Sequence, residues 1–283
     1  MTSNAITHHV GFAHLTDLPC YQLRCGQATA VISSYGAHLL SYKPAAEVEV
    51  IYLSPDAVWQ NNTPIRGGVP VCWPWFGPAA AEFNSNSEKL PNHGVARTEH
   101  WQLMRQSVTD TAVSIELRID VQNLPYIKAP SYLSLTLQLT EEALTLSLHS
   151  DQGLQQAALH SYFSVDSVHQ VAVSSLSGDY LDKVQGGGRF VQSQAELKFT
   201  AEIDRVYLDT AGELTLAQAK NAVAVVQQGH DASVLWNPWT EKAKALKDLP
   251  DAGYLDFVCI ETARLSLTNA EPLQLVQQIR YLA

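Results

Sequence analysis

Along most of this chain apolar and polar residues alternate in short runs with a period of two. Ala30-Val31-Ile32-Ser33-Ser34, Leu39-Leu40-Ser41-Tyr42 and Val48-Glu49-Val50-Ile51-Tyr52-Leu53 are separated by turn residues at Tyr35-Gly36 and Pro44-Ala45. The same alternation returns at residues 112–119, 132–139 and 143–148, and again at 170–173, 205–208, 213–216, 223–226, 233–236, 257–261 and 273–276. One apolar and one polar face per strand is the mark of antiparallel strands half buried against a second sheet. The class predicted is all-β, a large antiparallel β-sandwich. Only residues 240–247 read as helix, with Thr240 as its cap ahead of Glu241 and Lys242. No repeat of fixed period, βαβ series or low-complexity linker intervenes, so residues 1–283 are expected to form a single domain.

One stretch departs from the alternation. Between Ile65 and Arg97 lie Gly67, Gly68, Gly77, Gly94, Pro70, Pro74, Pro78 and Pro91, with Trp73, Trp75 and Phe76 among them. Such a segment cannot continue as a helix, because glycine and proline set special backbone angles. It predicts a shaped, aromatic-lined loop that holds Arg66, Arg97 and His93 at its rim.

Composition narrows the partners. Hydrophobic residues make up 46% and charged ones 16%, as in an ordinary soluble globular protein. The net charge of -10 argues against nucleic acid and anionic membranes, so an anionic ligand would have to be met by a local arginine cluster. The first twenty residues carry His8, His9, His14 and Asp17 without a basic start and apolar run, and no apolar segment approaches the ~20 residues that span a bilayer. The cytoplasm is the expected compartment. Cys20, Cys25, Cys72 and Cys259 show neither a Cys-x-x-Cys pair nor zinc spacing and are expected to be buried free thiols.

Glu261 is the most informative acid, since it shares strand parity with Phe257 and Cys259 and so points among apolar neighbours, unless it lies at a strand end turned to solvent. A desolvated carboxylate gains proton affinity, as a general base near neutral pH requires. His160 shares parity with Ala158 and Tyr162 and is either a proton carrier or a structural histidine. His93 precedes Gly94, where a ligand can approach the backbone, or it is a turn histidine bonded to a nearby carbonyl. Asp204, before Arg205, is either an ion-pair member or an acceptor for substrate hydroxyls. Arg66 and Arg97 matter as a pair, because guanidinium groups bind phosphate or carboxylate at two points. The run Gly186-Gly187-Gly188 neither follows a buried strand nor opens a helix and predicts a hairpin tip.

Several of these pieces resemble one family. Arg66-Gly67-Gly68-Val69-Pro70 with Trp73-Pro74-Trp75-Phe76-Gly77, then His93-Gly94-Val95-Ala96-Arg97, His160-Ser161-Tyr162-Phe163, Asp204-Arg205-Val206-Tyr207, Val234-Leu235-Trp236-Asn237-Pro238-Trp239 and Val258-Cys259-Ile260-Glu261 occur in the order seen in hexose-6-phosphate mutarotases. These glucose-6-phosphate 1-epimerases are part of the aldose 1-epimerase superfamily. The resemblance implies a galactose-mutarotase-like β-sandwich, His160 as general acid, Glu261 as general base, and a sugar phosphate site lined by Arg66, Asn92, Arg97 and Asp204, with His93 beside the sugar. It implies interconversion of the α and β anomers of a hexose 6-phosphate, glucose 6-phosphate foremost; no electron or phosphoryl group moves in that reaction, so no cofactor and no metal is expected, and the size of the sandwich leads to the expectation of a monomer. Ile203 stands where a threonine often precedes the aspartate, and Asn92 where relatives can carry glutamine, which bears on selectivity. Four other readings remain open at this level: a non-catalytic carbohydrate-binding module, an epimerase of unphosphorylated aldoses, a glycoside hydrolase pairing Asp204 with Glu261, and a non-catalytic relative that regulates or scaffolds metabolic enzymes.

Overall fold

A computed structural model describes residues 3–84, 87, 89–121, 131–151, 153–176, 178–208, 210–268 and 271–283. Its strands form three sheets, of four, seven and nine strands, and every pairing of named strands is antiparallel. The four-stranded sheet runs in chain order through Ala5–Phe12, Leu15–Cys25, Ala28–Ser33 and His38–Lys43. The middle of the seven-stranded sheet is made by Ile203–Leu208, Ala232–Asn237, Phe257–Arg264 and Ala157–Ser164, in that spatial order. The nine-stranded sheet includes Val113–Val121, Ser131–Leu139, Leu144–Ser150 and Leu273–Leu282.

The alternation expected from the sequence is clearest in the nine-stranded sheet. Val113–Val121 buries every second residue, as does Leu144–Ser150, and both turn their buried leucines, isoleucines and valines into the core. From the seven-stranded sheet, Leu159, Phe163, Val258, Ile260 and Leu235 enter the same core. Removing one such leucine would cost on the order of 2–5 kcal/mol, through lost transfer energy and the cavity left behind.

Some strand assignments differ from the sequence reading. Residues 48–53 make only isolated bridges, Ala45 to Val48, Ile51 to Phe163 and Leu53 to Gly67, because this segment crosses between sheets. Ala5–Phe12 and Gln102–Val108 are strands that the sequence did not signal; the latter is exposed at all seven positions and so carries no apolar stripe. The helix spans Trp239–Ala245, one residue before the expected start, and Thr240 does not cap it: Asn237 Oδ1 accepts the Trp239 N–H at 2.9 Å. The Gly186 to Gly188 run closes a hairpin between Asp179–Asp182 and Gly188–Val191. All four cysteines are free and buried. Among the described residues no helix is long and apolar enough to cross a membrane.

Candidate active site

Two strands of the seven-stranded sheet, Ala157–Ser164 and Phe257–Arg264, are buried nearly end to end, so both of their faces are covered. Their register sets His160 directly opposite Glu261, and Tyr162 opposite Cys259. Because side chains alternate across a strand, His160, Tyr162, Cys259 and Glu261 share the face turned away from the nine-stranded sheet. His160 Nε2 lies 3.3 Å from Glu261 Oε1. Side-chain exposure rises outward, from 1% at Glu261 and 10% at His160 to 22% at Arg66 and 41% at Lys183, which describes a recess with the carboxyl group at its floor.

Burial dominates the electrostatics of the floor. It pushes the Glu261 carboxyl well above the usual carboxylate range, with Lys183 opposing this and Asp204 adding to it. It pushes the His160 imidazole well below its ordinary value, helped by His93, Arg97 and Arg66. Both effects favour neutral forms, so their contact is better described as a hydrogen bond between neutral groups than as an ion pair. His160 Nδ1 and Glu261 Oε2 are buried without a protein partner, which is costly unless something else supplies one.

Aromatic rings frame the pair. Tyr162 stacks on His160 at 5.0 Å and 12°, while Trp236 and His93 meet it edge-on at 6.0 and 5.6 Å. His93 has a left-handed backbone, φ +63°, and its Nδ1 accepts the Gly77 N–H at 3.4 Å, which leaves the other ring nitrogen to carry the proton. Burial pushes its pKa down to about 3, so the ring is neutral. At Gly94 a β-carbon would overlap the Trp73 carbonyl, so this glycine serves the close packing of two loop segments.

The rim carries the charges. Arg66 donates from Nε to Asp248 Oδ1 at 3.1 Å and from Nη1 to Tyr162 Oη at 3.0 Å, an arrangement that aims its planar fork. Its loop is held by His38, whose Nε2 lies 2.8 Å from the Gly67 carbonyl, and a side chain at Gly68 would collide with that imidazole. Arg97 donates to the Asn92 carbonyl at 2.7 Å, and Asn92 is exposed at the edge. Both arginine charges act on His93 and on His160, which puts both guanidinium groups within electrostatic reach of these rings. Asp204 lies on the same side as Trp236, 3.9 Å from Lys183 Nζ, and burial pushes its pKa up.

Each site residue expected from the sequence is therefore near this recess, although Asn92 contributes its carbonyl rather than a fixed side chain. Sequence reasoning missed Asp248 and Lys183 and gave Tyr162 no role. Tyr162 had a usable signal, its shared parity with His160; Asp248, 182 residues from Arg66, had none.

The antiparallel sheets make this a β-sandwich of the galactose-mutarotase-like class. The chain belongs to the aldose 1-epimerase family, whose model it matches over residues 19–271, and this makes it an isomerase by class. It is 35% identical over 263 residues to an Escherichia coli (strain K12) protein named "Putative glucose-6-phosphate 1-epimerase", covering 90% of this chain and 87% of the relative. A Salmonella typhimurium (strain LT2) protein of the same name is 33% identical over 94% of this chain and 91% of its own. Among solved structures, a "putative mutarotase" from Salmonella typhimurium superposes with a TM-score of 0.86 at 32% identity, covering 94% of this chain and 90% of that one. The galactose 1-epimerase of Lactobacillus acidophilus NCFM shares the fold, with a TM-score of 0.76 at 14% identity over 99% of this chain and 98% of its own.

Proposed function

We propose that this protein, working as a single β-sandwich unit, interconverts the α and β anomers of a hexose 6-phosphate, with Glu261 as general base and His160 as general acid. The observation that carries the reading is their 3.3 Å contact at the floor of a recess whose rim holds Arg66 and Arg97. In the resting pair both groups are neutral. Moving one proton from Glu261 to His160 produces a carboxylate and an imidazolium, the two working forms, without exchange with solvent. The carboxylate then takes the proton of the anomeric hydroxyl while the imidazolium protonates the ring oxygen. The ring carbon–oxygen bond breaks, the anomeric carbon becomes an aldehyde, and the pair is neutral again. Rotation about the bond between the first two carbons and closure with the roles reversed gives the other anomer. Burial favours the neutral pair both at rest and after ring opening, so the charged pair is a short-lived state that ring opening discharges. Each proton transfer by a positioned group is worth typically 10²–10⁴ in rate.

Arg66 and Arg97 would bind the phosphate, which takes no part in bond making, and so hold the anomeric carbon at the pair. Asp204 and the neutral His93 would bind sugar hydroxyls. A carbohydrate-binding module is less well supported, because Trp73 and Trp75 are fully buried and offer no exposed stacking platform. The test is anomer exchange followed by NMR saturation transfer on glucose 6-phosphate and on free glucose. Faster exchange on the phosphorylated sugar is expected. Equal rates on both would remove the phosphate assignment, and exchange on neither would remove the activity.

A further inference from the structure

We propose that Tyr162 is a positioning residue that ties the phosphate end of the site to the acid: its hydroxyl aims Arg66 and its ring holds the plane of His160. The inference rests on the acid–base reading above and gives a task to a side chain that the reading leaves unused.

Backbone hydrogen bonds lace the arginine loop to the strand at this residue. The Tyr162 N–H donates to the Gly68 carbonyl at 3.0 Å, and the Tyr162 carbonyl accepts the Tyr52 N–H at 3.0 Å. The Gly68 N–H donates to the Tyr52 carbonyl at 2.7 Å, and the His160 N–H to the Pro70 carbonyl at 3.1 Å. The loop that carries Arg66 is thereby fixed against the strand that carries His160 and Tyr162.

The ring of Tyr162 is held as firmly as its backbone. It is 2% exposed and lies between His160, stacked at 5.0 Å and 12°, and Phe257, at 5.0 Å and 45°, with Trp236 meeting it edge-on at 6.0 Å. Phe257 is backed in turn by Tyr52, stacked at 4.9 Å. Aromatic pairs prefer definite offsets and tilts, so the phenol is a rigid wall for the imidazole and keeps its Nε2 turned to Glu261 Oε1, 3.3 Å away. In the short-lived state in which His160 carries a second proton, the same phenol face is favourable to the cation.

The hydroxyl performs the other half of the task. Its oxygen accepts from Arg66 Nη1 at 3.0 Å while Asp248 takes the Nε–H at 3.1 Å. Two anchors fix the plane of the guanidinium, and Nη2, which has no partner among the described residues, is left for an anion. One side chain therefore spans the gap between the group that would grip the phosphate and the group that would protonate the ring oxygen. A bound hexose 6-phosphate has to span the same gap.

The experiment compares wild type, Tyr162→Phe and Tyr162→Leu by anomer exchange on glucose 6-phosphate and free glucose, and by affinity for inorganic phosphate read from phosphorus NMR. Tyr162→Phe keeps the ring and removes the hydroxyl. Its KM for glucose 6-phosphate should rise roughly tenfold with kcat nearly kept, the preference over free glucose should shrink accordingly, and phosphate affinity should fall by a similar factor. Tyr162→Leu also removes the ring, and its kcat on both sugars should lie roughly fivefold below that of Tyr162→Phe. A merely structural tyrosine would weaken both sugars alike in Tyr162→Phe or change only the melting temperature, and either result would overturn the proposal. So would phosphate affinity that is unchanged in Tyr162→Phe or absent from the wild type, or equal kcat in the two variants. If the wild type binds phosphate but exchanges neither sugar, the acid–base reading falls, and the phosphate affinity of Tyr162→Phe still decides whether Tyr162 aims Arg66. Should Tyr162→Leu fail to fold, the split between KM and kcat in Tyr162→Phe carries the test.

Discussion

The two faces of the seven-stranded sheet are built from alternate residues of the same strands, yet they treat buried polar groups in opposite ways. On the face toward the nine-stranded sheet, Ser161 Oγ donates to Gln277 Oε1 at 2.5 Å and Gln277 Nε2 donates to Thr262 Oγ1 at 2.8 Å. Ser233 exchanges hydrogen bonds with Gln227 in the same layer. One residue further along the same strands, on the opposite face, His160 Nδ1 and Glu261 Oε2 are buried with no protein partner. Paired polar groups in a core are there for architecture, because their hydrogen bonds close on themselves. Unpaired ones at the floor of a recess retain their capacity for a ligand, at a cost that the surrounding core must offset.

The strongest test of that contrast is Glu261→Gln. It should lower kcat for anomer exchange by about 10²–10⁴ and leave thermal stability unchanged or raised, since a buried carboxyl without full pairing is removed. Measuring rate and melting temperature on the same preparation checks both halves; a large loss of stability with activity retained would reverse the assignment of the two faces.

Next in size is a pH effect at His38, which supports the Arg66 loop from below. An unfolded His38 takes up a proton below 6.5, but burial pushes the folded value down to about 4. The unfolded state therefore binds more protons in that window, and stability falls as pH drops through it, by up to about 3 kcal/mol. His93 and His160, also depressed, act in the same direction, whereas the raised Glu261 favours the folded state less as pH rises above the ordinary carboxylate range. Denaturant titrations should show a flatter pH dependence in His38→Gln than in the wild type.

On the paired face, Gln277→Leu should cost about 1–3 kcal/mol, because the Ser161 and Thr262 hydroxyls lose a partner in a dry interior. Anomer exchange should survive at temperatures well below the lowered melting point, the converse of Glu261→Gln. The smallest effect is expected at the rim. Asp248→Asn loosens Arg66 without removing its charge, and kcat/KM on the phosphorylated sugar should fall roughly fivefold, the scale of a partly exposed ion pair of about 1 kcal/mol. Exchange on free glucose should be unaffected, and an equal loss on both sugars would separate Arg66 from phosphate binding.

The paired face was largely legible in the sequence, because leucine and valine at every second position fix both strand and side. The opposite face was legible only through Glu261 and His160, whose parity placed each among apolar neighbours but could not tell that they are neighbours of each other. Gly94 was ambiguous for a related reason. A glycine signals that something comes close without naming it, and here the Trp73 carbonyl does. Thr240 had the right residue type for a cap, but Asn237, at the end of the preceding strand, was better placed to take the helix's first N–H.

Local pattern alone determined the all-β class, the position of most central strands and the inward aim of His160 and Glu261, since period-two burial is a property of consecutive residues. Tertiary structure decided the pairing of strands 157–164 and 257–264, which sets His160 against Glu261 across about a hundred residues of chain. It also decided that Asp248 and Lys183 stand at the same rim as Arg66 and Asp204. Register and loop closure are set by the energy of the whole core rather than by any run within it, so residues brought together in this way carry no mark in the sequence around them.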